Sequence, residues 1–389
     1  MMKRLRIKST VALLLALSLI LCSFGFAQAI VIPQDVKNVI LMIGDGMGEN
    51  SINWASAATG EKLFIDTMPY KGYSQTDSLS GTTDSAAGAT ALSCGYHAFN
   101  SNLGQCSILI NGHGANLCTY LNVCEAAQSI GKKTGVVTSD DNSGATPSGF
   151  SAHTYKREMP EEITKQQMEC GLDILWAKDN GVSSKAEAQK HGWQYCETLA
   201  EILASDGSKK SFAAVQGDIC FDNGSDADAP LSALTSAAIE KLDNGKGFFL
   251  MVEGAHIDKY SHANDSENMF KAMLEFDKSI KAAVDFAKRD GNTIVIVTAD
   301  HETGGIVFDS ETKSYKYTSG DHTNTDVPVR VFGSYDLVKD GETVVNTDIA
   351  KFIAKKIGYT DTFPKFTLNF AFPAELFSAL FAALKDKIG

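Results

Sequence analysis

The chain of 389 residues is 44% hydrophobic and 21% charged, ordinary globular values that exclude a disordered, collagenous or coiled-coil polypeptide. Its length suits one large α/β domain, with or without an accessory lobe. With 35 basic against 47 acidic side chains the net charge is −12, and no basic stripe interleaved with aromatics occurs, which argues against a nucleic-acid partner.

Lys3, Arg4, Arg6 and Lys8 precede an apolar run over residues 11–26 and the small-x-small triplet Ala27-Gln28-Ala29. The pattern predicts an export signal over residues 1–29, cleaved near Ala29. Lipidation at Cys22 is disfavoured by Leu21, which stands where a small residue is wanted. Residues 37–43 read as a buried strand running into the tight loop Gly44-Asp45-Gly46-Met47-Gly48. Strand-like runs follow at 134–138, 212–215, 248–253, 293–298 and 327–332; helical patterns lie at 84–92, 117–130, 194–204, 231–242 and 266–288. Residues 98–116 and 222–228 are polar and read as loops. At the far end, residues 361–389 form a separate segment in which Leu376, Phe377, Leu380, Phe381, Leu384 and Ile388 share one helical face. That face fits docking on its own domain, packing in a homodimer or contact with a membrane surface.

Strands alternating with helices imply a mostly parallel sheet covered on both faces, with ligands at the carboxyl ends of its strands. Hard metal ligands cluster at such ends: Asp45, then Glu253 with Asp258 and His262, then Asp300 and His301, with His322 in a later turn. Mixed carboxylate and imidazole sets suit zinc, and an oxygen-only subset suits Mg²⁺. In Thr82-Thr83-Asp84-Ser85, either Asp84 or Thr83 would cap a helix and put Ser85 in its first turn, where backbone N–H groups favour an alkoxide or a phosphoryl group. Asp277, on the apolar stripe of Met269, Met273, Ile280 and Val284, needs backbone or ligand-histidine partners if buried. His97, His113 and His191 lie outside these groups. Beyond the signal remain Cys94, Cys106, Cys118, Cys124, Cys170, Cys196 and Cys220, an odd number without a CxxC pair, so disulfides or buried thiols are expected rather than zinc–thiolate sites.

Taken in order, GDGMG (44–48), TTDSAAGATA (82–91), Ala145-Thr146-Pro147 with Arg157, EGAHIDKYSH (253–262), TADHETGG (298–305) and DHT (321–323) resemble the motifs of the alkaline phosphatase family. The resemblance implies a three-layer α/β/α catalytic domain over residues 30–360, commonly dimeric, that hydrolyses phosphate monoesters with two zinc ions and one Mg²⁺. It implies Asp258, His262 and His322 as ligands of the first zinc and Asp45, Asp300 and His301 of the second, with Asp45, Thr146 and Glu253 at Mg²⁺. Ser85 matches the nucleophile, Arg157 the guanidinium that grips phosphate, and Asp84 the residue that orients Arg157. His256 and Lys259 fall between ligand positions, and at the latter relatives carry Lys or His near the phosphate. One departure stands out: two residues before Thr146, where relatives carry Asp or His, this chain has Gly144, from which a more weakly held Mg²⁺ is expected unless Asp140 or Asp141 takes over. Phosphodiesterases or sulfatases of the same superfamily, and a noncatalytic exported metal- or phosphate-binding protein, are the alternatives. Ser85 and Glu253 argue against the former, and the complete residue set against the latter.

Overall fold

A computed structural model of the chain describes residues 36–388 apart from 112, 222–223, 226–227 and 244; the expected export signal, with Cys22 and Ala29, lies outside the described residues. Ten strands form the main sheet: β1 (Asn38–Gly44), β2 (Tyr70–Gln75), β3 (Lys133–Asp141), β4 (Ile174–Lys178), β5 (Gln194–Cys196), β6 (Ser211–Val215), β7 (Phe248–Gly254), β8 (Thr293–Thr298), β9 (Val327–Phe332) and β10 (Thr343–Val345). Their spatial order is β10-β2-β9-β8-β1-β7-β3-β4-β6-β5. Only β9 runs against the rest, pairing antiparallel with both β8 and β2. The central strands are apolar on both faces, as a sheet covered on two sides requires. In β1, Ile40 and Met42 join one core, while Val39, Leu41 and Ile43 join the other.

Nine helices matter below: α1 (Glu49–Thr59), α2 (Ser85–Cys94), α3 (Val123–Ser129), α4 (Ala145–Gly149), α5 (Leu231–Leu242), α6 (His256–His262), α7 (Ser266–Asp290), α8 (Asn346–Lys356) and α9 (Phe372–Ile388). Residues of α1, α5 and α7 fill the first core; α2, α3 and α8 contribute to the second. The result is the expected α/β/α layering. Asp277 of α7 is half-buried in this packing and accepts the backbone N–H groups of Phe64 (2.8 Å) and Ile65 (2.9 Å), so its partners are backbone and no histidine is involved.

Several local expectations need correction. The pattern at 117–130 splits into a strand, His113–Tyr120, and α3. Asn122 and Glu125 form a capping box between them, each side chain bonding the other's backbone N–H at 3.0 and 2.9 Å, which fixes the helix start after the strand. The supposed loop at 98–116 contributes Gln105–Ile110, which pairs with His113–Tyr120 in a small sheet completed by Phe366–Leu368. Residues 194–204 likewise divide into β5 and a helix, Leu199–Ala204, capped by Thr198. Cys94, Cys106, Cys118, Cys124, Cys170, Cys196 and Cys220 carry free thiols. Helix α9 docks on the small sheet: Glu375 accepts the backbone N–H of Asn116 (3.0 Å) and Ala379 is buried, while Phe377 and Leu380 face solvent. No helix among the described residues is long and apolar enough to cross a membrane.

Candidate active site and metal centre

Strands β8, β1, β7 and β3 are neighbours, and their carboxyl ends deliver Asp300, Asp45, Glu253 and the 139–146 segment to one edge of the sheet. The turn after β1 depends on Gly46, whose φ of +70° is left-handed and whose Cβ position would lie 2.7 Å from Thr303 Oγ1 and 2.8 Å from the Asp258 Cα. Gly46 N–H also donates to Asp300 Oδ1 at 3.2 Å, tying the first and second carboxylates together.

Two groups of ligand-competent side chains result. His301 Nε2 lies 3.6 Å from Asp45 Oδ1 and 3.3 Å from Asp300 Oδ2. Beside them, Asp258 Oδ1 is 3.4 Å from His262 Nε2 and 3.7 Å from His322 Nε2, and those two nitrogens are 3.0 Å apart. His301 also stacks on His322, so the groups adjoin. Each imidazole is aimed through its other nitrogen: Nδ1 of His262 donates to Gly320 O (2.6 Å), that of His322 to Thr83 O (2.9 Å) and that of His301 to Thr303 Oγ1 (3.2 Å). An imidazole held through Nδ1 in this way turns its Nε2 toward the neighbouring ligand-competent side chains, the arrangement of a ligating histidine. Thr303 donates onward to Asp258; its part was not readable from the sequence.

Electrostatics point the same way. Burial, reinforced by Asp300, Asp258 and Glu253, pushes the Asp45 carboxyl well above the usual range, and burial raises Asp300 too. Burial and then His322 drive His301 down to about 3, keeping it neutral. Asp45 Oδ1, Asp300 Oδ2, Glu253 Oε1 and Thr146 Oγ1 are buried without a hydrogen-bond partner. Buried oxygens of this kind call for cations, and oxygen and imidazole donors suit the zinc and Mg²⁺ sets implied by the sequence.

Ser85 opens α2, with Asp84 as the N-cap accepting Ala87 N–H at 3.0 Å; of the two sequence candidates for the cap, Asp84 is the one used. Ser85 is buried, with its Oγ 3.2 Å from His301 Nε2. The second Asp84 oxygen accepts Ser101 N–H (2.9 Å) and stands 3.4 Å from Arg157 Nη1. Every residue of α2 is buried, and its small side chains let it lie close: a Cβ on Gly88 would meet the Asp300 Cβ at 2.9 Å, and one on Gly149 of α4 would meet the Ala89 Cβ at 2.7 Å.

At the third group, Thr138 donates to Glu253, and Thr146 lies at the start of α4. Burial, followed by the charge of Asp140, pushes Glu253 up to about 8. Lys259 forms an ion pair with Asp140. His256 turns instead to Ser139 Oγ (3.2 Å) and Tyr260, outside both ligand groups. Among the remaining histidines, His97 and His113 lie apart from the ligand groups and His191 pairs with Glu187 at 3.1 Å. His153 had drawn no attention in the sequence, yet it anchors the segment leading to Arg157, with Nε2 3.0 Å from Glu125 and Nδ1 3.1 Å from Gly104 O.

A family model described as alkaline phosphatase matches residues 36–175 and 175–349. The chain belongs to the alkaline phosphatase family. It is 34% identical over 300 residues to alkaline phosphatase 3 of Bacillus subtilis (strain 168), an alignment spanning 70% of this chain and 62% of that protein. To the alkaline phosphatase of Escherichia coli (strain K12) it is 30% identical in an alignment 403 positions long that covers 84% of each chain. Its fold is similar to that of alkaline phosphatase from the Antarctic bacterium TAB5: a His-to-Asp variant of that protein, described with Mg bound in its M3 site, superposes with a TM-score of 0.73 at 28% identity, covering 84% of this chain and 99% of the other.

Proposed function

We propose that this family member is an exported phosphate-monoester hydrolase that works through a phosphoserine at Ser85 with two zinc ions and one Mg²⁺. The observation that carries the reading is the convergence, beside the Ser85 hydroxyl, of inward-facing imidazole Nε2 atoms and buried carboxylate oxygens without hydrogen-bond partners. Asp258, His262 and His322 would hold one zinc, Asp45, Asp300 and His301 the other, and Asp45, Thr146 and Glu253 the Mg²⁺. Metals bound there supply positive charge against the phosphate dianion, make the serine hydroxyl easier to ionise and steady the departing alkoxide.

The chain's own groups do the rest. Arg157, aimed by Asp84, offers a planar guanidinium to two phosphate oxygens. Ser85 Oγ, at the positive end of α2, attacks phosphorus; the new Oγ–P bond forms as the ester P–O bond breaks and the alcohol leaves. Water then attacks the phosphoserine, Oγ–P breaks, and inorganic phosphate departs. Removal of an export signal near Ala29 and a homodimer complete the reading, supported by the basic-then-apolar N-terminus and the family's habit of pairing.

The test measures metal content alongside hydrolysis of an aryl phosphate monoester, the matching diester and an aryl sulfate. Zinc near two per chain with preference for the monoester supports the proposal, with activity abolished by chelation, restored by zinc and raised by Mg²⁺. Full activity in verified metal-free protein, or preference for diester or sulfate, would overturn it.

A further inference from the structure

We propose that Asp140 is a positioning residue of the third metal site, its carboxylate standing where a side chain at position 144 would stand and bridging that site to Lys259. The inference rests on the reading of Asp45, Thr146 and Glu253 as a Mg²⁺ set. Gly144 has an ordinary backbone conformation, φ −50° and ψ 149°, so no left-handed turn demands a glycine there. What its missing Cβ provides is room. A Cβ at 144 would fall 2.5 Å from Asp140 Oδ2 and 2.8 Å from its carboxyl carbon.

Asp140 is held in that space from two sides. Its own N–H donates to Thr138 Oγ1 at 2.8 Å, and Thr138 donates in turn to Glu253. Its Oδ1 accepts the Asp141 N–H at 2.8 Å and the Lys259 ammonium, whose charge offsets the repulsion that a further carboxylate beside Glu253 would otherwise bring. Oδ2 is left facing Gly144, next in the chain to Ala145 and Thr146. Mg²⁺ keeps several of its waters, and a carboxylate just beyond the direct ligands can orient them. Asp140 Oδ2 has that place and that chemistry. Gly144 is therefore not a deficit in the site, and a side chain introduced at 144 should weaken Mg²⁺ binding by dislodging Asp140, the reverse of what the sequence alone suggests.

Calorimetric titration of Mg²⁺ into zinc-loaded protein tests this on the wild type, Asp140→Asn, Gly144→Ala and the double variant, with zinc content and Tm recorded for each. Each single variant should bind Mg²⁺ about tenfold more weakly, and the double variant no more weakly than the worse single, because both changes remove one group. Zinc content and Tm should stay at wild-type values. Wild-type Mg²⁺ affinity in Asp140→Asn, or additive losses in the double variant, would overturn the proposal while leaving the metal reading intact. A wild type that holds zinc yet takes up no Mg²⁺ would overturn the third site itself, and this proposal with it.

Discussion

Asp84 joins three tasks in one side chain, and separating them makes a demanding test. One oxygen caps α2 through Ala87 N–H; the other accepts Ser101 N–H and faces Arg157. Asp84→Ala removes the cap, worth about 1 kcal/mol, and leaves the part-buried Ser101 N–H without its charged acceptor, worth about 1 kcal/mol more. The sum, about 2 kcal/mol, corresponds to a fall in Tm of roughly 3 °C for a domain of about 350 residues, whose unfolding entropy is about 0.7 kcal/mol/K. Asp84→Asn keeps an amide oxygen for Ala87 but loses the charge toward Arg157, so its stability loss should be about half as large. In kcat/KM for an aryl phosphate both variants should fall about tenfold to a hundredfold, since misaimed clamps cost on that scale. If Asp84 acts on phosphate through Arg157, adding either change to Arg157→Ala should lower kcat/KM little further. Thermal unfolding of the metal-loaded variants and steady-state kinetics give both readouts. A fully active Asp84→Asn, or losses that multiply with Arg157→Ala, would refute the coupling.

Two further predictions follow from packing and charge. Gly88→Ala should keep the fold but lower zinc retention on dialysis against a chelator at least tenfold, because the added methyl would press on Asp300 at 2.9 Å; unchanged retention would contradict the close approach. The His153–Glu125 pair gives a pH signature. Burial alone would lower His153, but hydrogen bonding to and the charge of Glu125 outweigh it and raise the imidazole above its ordinary 6.5. For Glu125 burial pushes upward, and His153 outweighs it to hold the carboxyl below its ordinary 4.5. A raised imidazole stabilises the fold fully below about pH 6.5 and loses that contribution as pH rises through its folded value; a lowered carboxyl contributes above about pH 4.5 and loses it as pH falls through its own. The Tm deficit of His153→Gln against wild type should accordingly be larger at pH 6 than at pH 9, and equal deficits would show that the pair is not ionised in the fold.

What the sequence disclosed was local. Ser85 at a helix start and candidate ligands at strand ends are read from a few adjacent residues and the period of the apolar pattern, and the parallel sheet follows from the alternation of elements. What it hid depends on partners far along the chain. The strand His113–Tyr120 resembles a helical run until Gln105–Ile110 and Phe366–Leu368 are laid beside it; the Asn122-x-x-Glu125 spacing was the signal that could have marked the true helix start. Thr303 and Thr138, which hold Asp258 and Glu253, are small polar residues whose role needs the folded register. Gly144 reads as a missing group because Asp140, whose carboxylate takes the room a side chain at 144 would fill, lies within a register shift of β3 between Val137 and Asp141 that no spacing rule encodes.

The central claim, covalent catalysis at Ser85, is tested most directly by trapping. Zinc-loaded protein incubated with labelled inorganic phosphate at acid pH, quenched and digested, should yield one labelled peptide with the phosphate on Ser85, and Ser85→Ala should yield none while retaining its zinc. Phosphate recovered on any other residue, or undiminished labelling of Ser85→Ala, would contradict the account.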